Sequence, residues 1–159
     1  MFAVLMIIGK EAVASIPNIE PVTLLCAICS VLYGRRALAA VYVFVLVQGL
    51  LYGFHIWWIF YLYAWPICCL LAQVLRKYDK AWLCALLMGG FGLAFGALSA
   101  IPYLFIGGFQ LAFTYWINGF YFDLIHCGGN FIICLVLYRP LMIAIKSALR
   151  KVPTNAYIK

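Results

Sequence analysis

Hydrophobic positions fill this chain in long runs, and polar ones gather in the gaps between them. The runs are apolar on every side, which predicts helices; the strands of a membrane barrel would alternate apolar and polar residues. The first run, Phe2 to Ile16, carries Lys10 and Glu11 and stops at Pro17-Asn18, a turn signal. It is a marginal span. The second, Val22 to Tyr33, ends at Gly34-Arg35-Arg36, a glycine just past a helix end followed by basic residues. The third, Ala37 to Gly53, is uncharged and rich in β-branched residues. The fourth, Trp57 to Leu75, opens on a dense aromatic cluster, contains Pro66 as an expected kink, and closes at Arg76-Lys77-Tyr78-Asp79-Lys80. A fifth run starts at Ala81, contains the small-residue stripe Gly92-x-x-x-Gly96-x-x-x-Ala100, and is expected to end at Pro102. A wet-looking loop of about 16 residues, Tyr103 to Asn118, should follow; loops of that length are commonly functional lids. The last span should run from about Gly119 to Tyr138 and break at Arg139-Pro140. Leu141 to Lys151 then reads as an amphipathic interfacial helix.

Composition agrees with that pattern. Of 159 residues, 69% are hydrophobic and 9% charged, against about 45–50% apolar and about 25% charged in soluble domains. A single transmembrane domain covering residues 1–159 is expected. Its fold class is an all-α membrane protein, a compact bundle of six transmembrane helices, or five if the first segment does not cross, since each crossing takes about 20 residues. Ala12-Val13-Ala14 has the look of a signal-peptide cleavage site, but no basic segment precedes it and Lys10-Glu11 interrupt the apolar stretch. The formal charge of +7 comes from 11 Lys plus Arg against 4 Asp plus Glu. Those basic residues stand at run ends without interleaved exposed aromatics, which removes nucleic acid as a partner. Arg35, Arg36, Arg76, Lys77, Lys80, Arg139, Lys146, Arg150, Lys151 and Lys159 fall on one side, Lys10 on the other. The basic side is therefore expected to be cytoplasmic, with the C-terminus there, in a multi-pass protein of the cell membrane.

The seven Cys lie inside apolar runs and read as small buried hydrophobes. Cys26-x-x-Cys29 has redox or zinc spacing but no second pair near it. No Walker-type Gly-x-x-x-x-Gly-Lys-Ser/Thr and no Gly-x-Ser-x-Gly occurs, and no catalytic residue or cofactor is assigned.

Candidate chemistry concentrates in two polar stripes. Asp123, His126 and Asn130 stand at i, i+3 and i+7 on one helical face, and an Asp at the bilayer centre costs about 2.5–3.5 kcal/mol. That face must look into protein, as a polar seam between helices, or into a ligand site. Gln48, Tyr52 and His55 form the second stripe, beside Gly49-x-x-x-Gly53. Both lie near the outer ends of their runs, which points to a pocket opening outward, with the aromatics of the fourth run free to stack a flat ligand. Lys10 and Glu11 project about 100° apart and need partners on another helix or a place at the surface. Asp123 and His126, with His55, could alternatively hold a catalytic metal ion.

The Pro-Asn-Ile-Glu loop, Gly-Arg-Arg after the second run, Tyr-Gly-Phe-x-x-Trp-Trp, Tyr-Leu-Tyr-x-Trp-Pro and Phe-Asp-Leu-x-His together resemble the substrate-binding S component of energy-coupling factor (ECF) transporters. The resemblance covers nearly the whole chain. It implies a non-enzymatic membrane protein that captures a vitamin or vitamin precursor at the outer face. It also implies docking on a transmembrane coupling subunit driven by two cytoplasmic ATPases. By this resemblance the outer loops would close the pocket with Asn18 and Glu20, with His55 and Trp57, and with Gln110, Tyr115 and Trp116; Tyr61 joins as a stacking residue. In place of the family's Ala-x-x-x-Ala docking stripe this chain has Gly9, Ala12, Ala14 and Ser15.

Overall fold

Glycines and prolines, the residues that ordinarily end helices, decide where this chain turns, and the two behave oppositely. The computed structural model describes residues 1–15 and 21–150. Among them the chain is helical throughout, with no strand: α1 (Phe2–Ala12), α2 (Val22–Tyr33), α3 (Ala37–Tyr52), α4 (Ile56–Ala72) and α5 (Ala81–Arg150). Short 3₁₀ turns, Gly34–Arg36 and Gln73–Arg76, follow α2 and α4. Three reversals each carry a glycine with positive φ: Gly34 at 60°, Gly53 at 89° and Gly108 at 74°. L side chains rarely adopt such values. Gly107 and Gly108 alone leave helical geometry inside α5, dividing its 70 residues into a first arm, 81–106, and a second, 109–150.

The expected loop Tyr103–Asn118 is therefore a tight helical hairpin with a two-residue turn. Pro102 does not end the first arm. A proline leaves the carbonyl four residues earlier without its helical donor; here that carbonyl, Leu98 O, accepts a hydrogen bond from Tyr63 Oη of α4 at 2.7 Å. Nor does Arg139-Pro140 break the second arm. The residues on both sides of Pro140 bind one carboxylate at the base of the first arm, Asp79. Tyr138 donates to its Oδ1 at 2.7 Å, while Arg139 and Lys146 pair with its Oδ2 at 3.4 and 3.9 Å. The expected interfacial helix at Leu141–Lys151 is, as far as Arg150, the continuation of α5.

Ring and hydrogen-bond contacts set the directions of packing. Phe2 meets Tyr33 edge-on at 5.8 Å while Gly9 faces Pro21, so α1 and α2 are antiparallel. Trp58 Nε1 donates to Val45 O at 2.9 Å and Trp65 meets Phe44, so α4 runs back along α3. Cys68 packs on Met88 and Phe60 on Phe95, which turns the first arm of α5 against α4. The core sits between α2, α4 and α5, around Trp65, Ile28, Leu75 and Met88. All seven cysteines are free and six are fully buried, as small hydrophobes should be.

Three helical stretches, Val22–Tyr52, Ile56–Arg76 and Ala81–Arg150, are long and apolar enough to cross a membrane. Their outer surface leaves Leu46, Leu50, Ile132, Val136 and Ile143 exposed, positions that suit acyl chains better than water. α1, expected as a marginal span over Phe2–Ile16, has 11 residues. At about 1.5 Å per residue it is shorter than the hydrocarbon core of about 30 Å.

Candidate functional site

The two arms of α5 meet along a line of glycines. A Cβ added at Gly92 would stand 2.9 Å from both Asn130 Nδ2 and His126 O, and one at Gly96 would strike the Asp123 carboxylate. The small-residue stripe of the first arm thus receives the polar stripe of the second. Close backbone approach is what makes polar bonds across the arms possible. Gly96 N–H donates to Asp123 Oδ1 at 2.8 Å, and Asn130 Nδ2 donates to Met88 O at 3.2 Å. The His126 ring lies edge-on to Phe95, 4.6 Å between centroids.

Above this seam the helices part around a cavity of about 810 Å³. Its walls are mostly rings. Trp57, Phe60 and Tyr61 come from α4, Phe95 from the first arm, and Phe122 from the second. Tyr103 and Tyr115, stacked at 4.2 Å and 22°, join the arms above it. Asp123 forms part of its floor, and Lys10 and Tyr52 reach it from α1 and α3.

Lys10 and Glu11 both acquire the partners on another helix that their sequence positions demand. Glu11 accepts hydrogen bonds from Tyr52 Oη and, at 3.4 Å, from Gln48 Nε2. Lys10 Nζ sits over the Tyr52 ring, 4.8 Å from its centroid. The carboxylate ties α1 to α3, and the ammonium is left at the cavity edge.

Of the residues singled out in the sequence, the structure brings Tyr52, Trp57, Tyr61, Tyr115 and Asp123 together around the cavity. Gln48 is buried beside them, bound to Glu11. His126 and Asn130 lie deeper, between the arms, and do not line the cavity. His55 is separated from its expected stripe because Gly53 ends α3; it stands exposed at the start of α4. Gln110 is exposed two residues beyond the Gly107–Gly108 turn, at the hairpin tip. Trp116 lines a smaller apolar cavity of about 250 Å³ between the arms. Asn18 and Glu20 lie outside the described residues. Ala12, the last residue of α1, and Ala14 and Ser15 beyond it are exposed, but Gly9 is not on a free docking face: a Cβ there would meet Pro21 Cγ at 2.8 Å. Asp123, His126 and His55 do not converge, and among the described residues no three His, Cys, Asp or Glu are grouped as a metal ion would require.

Sequence reasoning missed Lys10, Phe95, Ser99, Tyr103, Asn118 and Phe122 as lining residues. A signal existed for two of them. Phe95 adjoins Gly96, and Phe122 adjoins Asp123, so each flanks a stripe already marked as the contact between helices.

No family model, characterised protein or solved structure matches the chain.

Proposed function

We propose that this chain is a membrane-embedded binding protein for a small solute, and that it serves as the S component of an ECF-type importer. In this reading the bundle crosses the membrane five times, through α2, α3, α4 and the two arms of α5, with α1 inserted part of the way. The cavity opens outward and the C-terminus is cytoplasmic. The solute is vitamin-like and is handed to a coupling subunit powered by two ATPases. The chain itself catalyses nothing.

One observation carries the reading. An aromatic-walled cavity with a carboxylate in its floor lies at the end of the bundle opposite Arg35, Arg36, Arg76 and Arg139. A concave, mostly apolar site with a few placed polar groups is the usual form of a small-molecule site. The positive-inside tendency turns its mouth away from the cytoplasm. Purification in mild detergent followed by mass spectrometry of the extracted solute tests it. A stoichiometric retained compound, with an ATPase pair and a coupling subunit in the same preparation, is the expected result. A chain that carries no solute and travels with neither would sink the proposal.

A second reading, a structural subunit with polar seams as interhelical glue, is favoured by His126 and Asn130 lying between the arms. It expects Asp123→Asn to impair assembly with partner chains. The transport reading expects that substitution to weaken solute binding.

A further inference from the structure

We infer that the end of the bundle opposite the cavity binds the phosphate of one anionic phospholipid, held by Arg76 together with Arg35 and Arg36. Such a site needs only that the chain lies in a bilayer, whatever the cavity takes.

Two turns of the chain touch at this end. Gly34 closes α2, and the guanidinium of Arg76, from the turn after α4, lies against it: a Cβ added at Gly34 would strike Arg76 Nη1. Gly34 holds φ at 60°, a value L side chains rarely adopt, so the place for the guanidinium stays open. Arg35 and Arg36 follow directly, and all three arginines are exposed. Three planar forks thus stand at one contact of two turns, and such forks match the oxygens of a phosphate group.

No carboxylate of the described residues pairs with these arginines. Among those residues Asp79 is the one acidic side chain at this end, and it is taken by Tyr138, Arg139 and Lys146; Glu11 and Asp123 stand by the cavity. Lys77, over the Tyr78 ring, and Lys80 add to the excess of positive charge. Residues 151–159 contain Lys151 and Lys159 and no Asp or Glu. The outer surface also sets the depth. Tyr33, Tyr78 and Trp82 are exposed beside the arginines, as amphipathic rings at headgroup level are. Leu86, one turn beyond Trp82, and Leu70 and Leu71 on α4 are exposed in their turn and suit acyl chains. The arginines therefore stand at the level of lipid phosphates, where basic clusters attract anionic headgroups.

The test is native mass spectrometry of the full chain, released from mild detergent after incubation with two lipids in equal amounts. Dioleoyl phosphatidylglycerol and dioleoyl phosphatidylcholine share their acyl chains and differ in headgroup charge. One phosphatidylglycerol should remain bound per chain, at least tenfold in excess over phosphatidylcholine. Arg76→Gln should lower that retention at least fivefold. Arg150→Gln, an equal loss of charge at the end of α5, should leave it within twofold. Melting curves check that both variants fold. The double variant Arg35→Gln/Arg36→Gln, at exposed positions, should lose retention as Arg76→Gln does, and it carries the test if Arg76→Gln unfolds. Equal retention of the two lipids would overturn the inference. Equal losses in Arg76→Gln and Arg150→Gln would do the same, since they mark a diffuse surface attraction. Displacement of the lipid by millimolar inorganic phosphate would also overturn it, because the arginines would then take free phosphate.

Discussion

The backbone amide of Gly96 donates to Asp123 Oδ1 at 2.8 Å, from one arm of a helical hairpin to the other. A hydrogen bond to a charged acceptor is worth about 1.5–3 kcal/mol, and here it also fixes the carboxylate as cavity floor. Because any Cβ on Gly96 would strike that carboxylate, the residue pair is one structural unit.

Substituting Gly96 should therefore act against helix propensity. Alanine in a helix interior is ordinarily about 1 kcal/mol better than glycine, and Gly90→Ala, with nothing within 4 Å of its added Cβ, should raise thermal stability. Gly96→Ala should instead lower it, since overpacking costs about 1–3 kcal/mol, and should displace Asp123. Melting curves of the two variants in the same detergent measure this. Equal shifts would show that the arms are not in close contact there.

Asn130 separates seam from site. It is 1% exposed, lies below the cavity and binds Met88 O. Asn130→Ala should cost about 0.5–2 kcal/mol of stability, the range for polar bonds between membrane helices. Solute affinity should stay within twofold of the parent chain. A tenfold loss of affinity without loss of stability would place Asn130 in the binding site.

How far the sequence foretold these relationships depends on the kind of signal. The small-residue stripe of Gly92, Gly96 and Ala100 and the polar stripe at 123, 126 and 130 were both legible, because each is a helical repeat of unusual residue types. Their facing one another was not, since spacing says nothing about which helix lies opposite. The reading failed at Pro102 and Pro140 for a different reason. Proline marks a helix end only when nothing else satisfies the freed carbonyl or clamps the flanks, and here Tyr63 and Asp79 do so from distant positions. His55 was misplaced because helical spacing was extended through Gly53, whose φ of 89° ends α3.

Tyr52 should control how firmly α1 is held. Its hydroxyl donates to Glu11, whose carboxylate is the polar tie between α1 and α3. Tyr52→Phe should remove that bond, and α1 should then open severalfold more often. Hydrogen exchange read by mass spectrometry should show the increase in peptides covering Phe2–Ala12 and not in those covering α4. An unchanged exchange rate would mean that Phe2 and Met6, buried on α1, suffice to hold it.

The orientation of the bundle makes the last prediction. The native cysteines are buried, with Cys127 half-buried, so single cysteines introduced at exposed positions should label over a low background. Gln110 lies at the hairpin tip beyond the cavity, and Lys146 at the opposite end near Asp79. With Arg35, Arg36, Arg76, Lys77, Lys80, Arg139 and Lys146 at that opposite end and Lys10 at the cavity edge, the proposed orientation, which follows the positive-inside tendency, has the tip outside. Gln110→Cys should react with a membrane-impermeant maleimide on intact cells, and Lys146→Cys only after the membrane is opened. The reverse pattern would put the cavity mouth on the cytoplasmic side, where an importer's capture site cannot be, and the cavity would then need a cytoplasmic ligand.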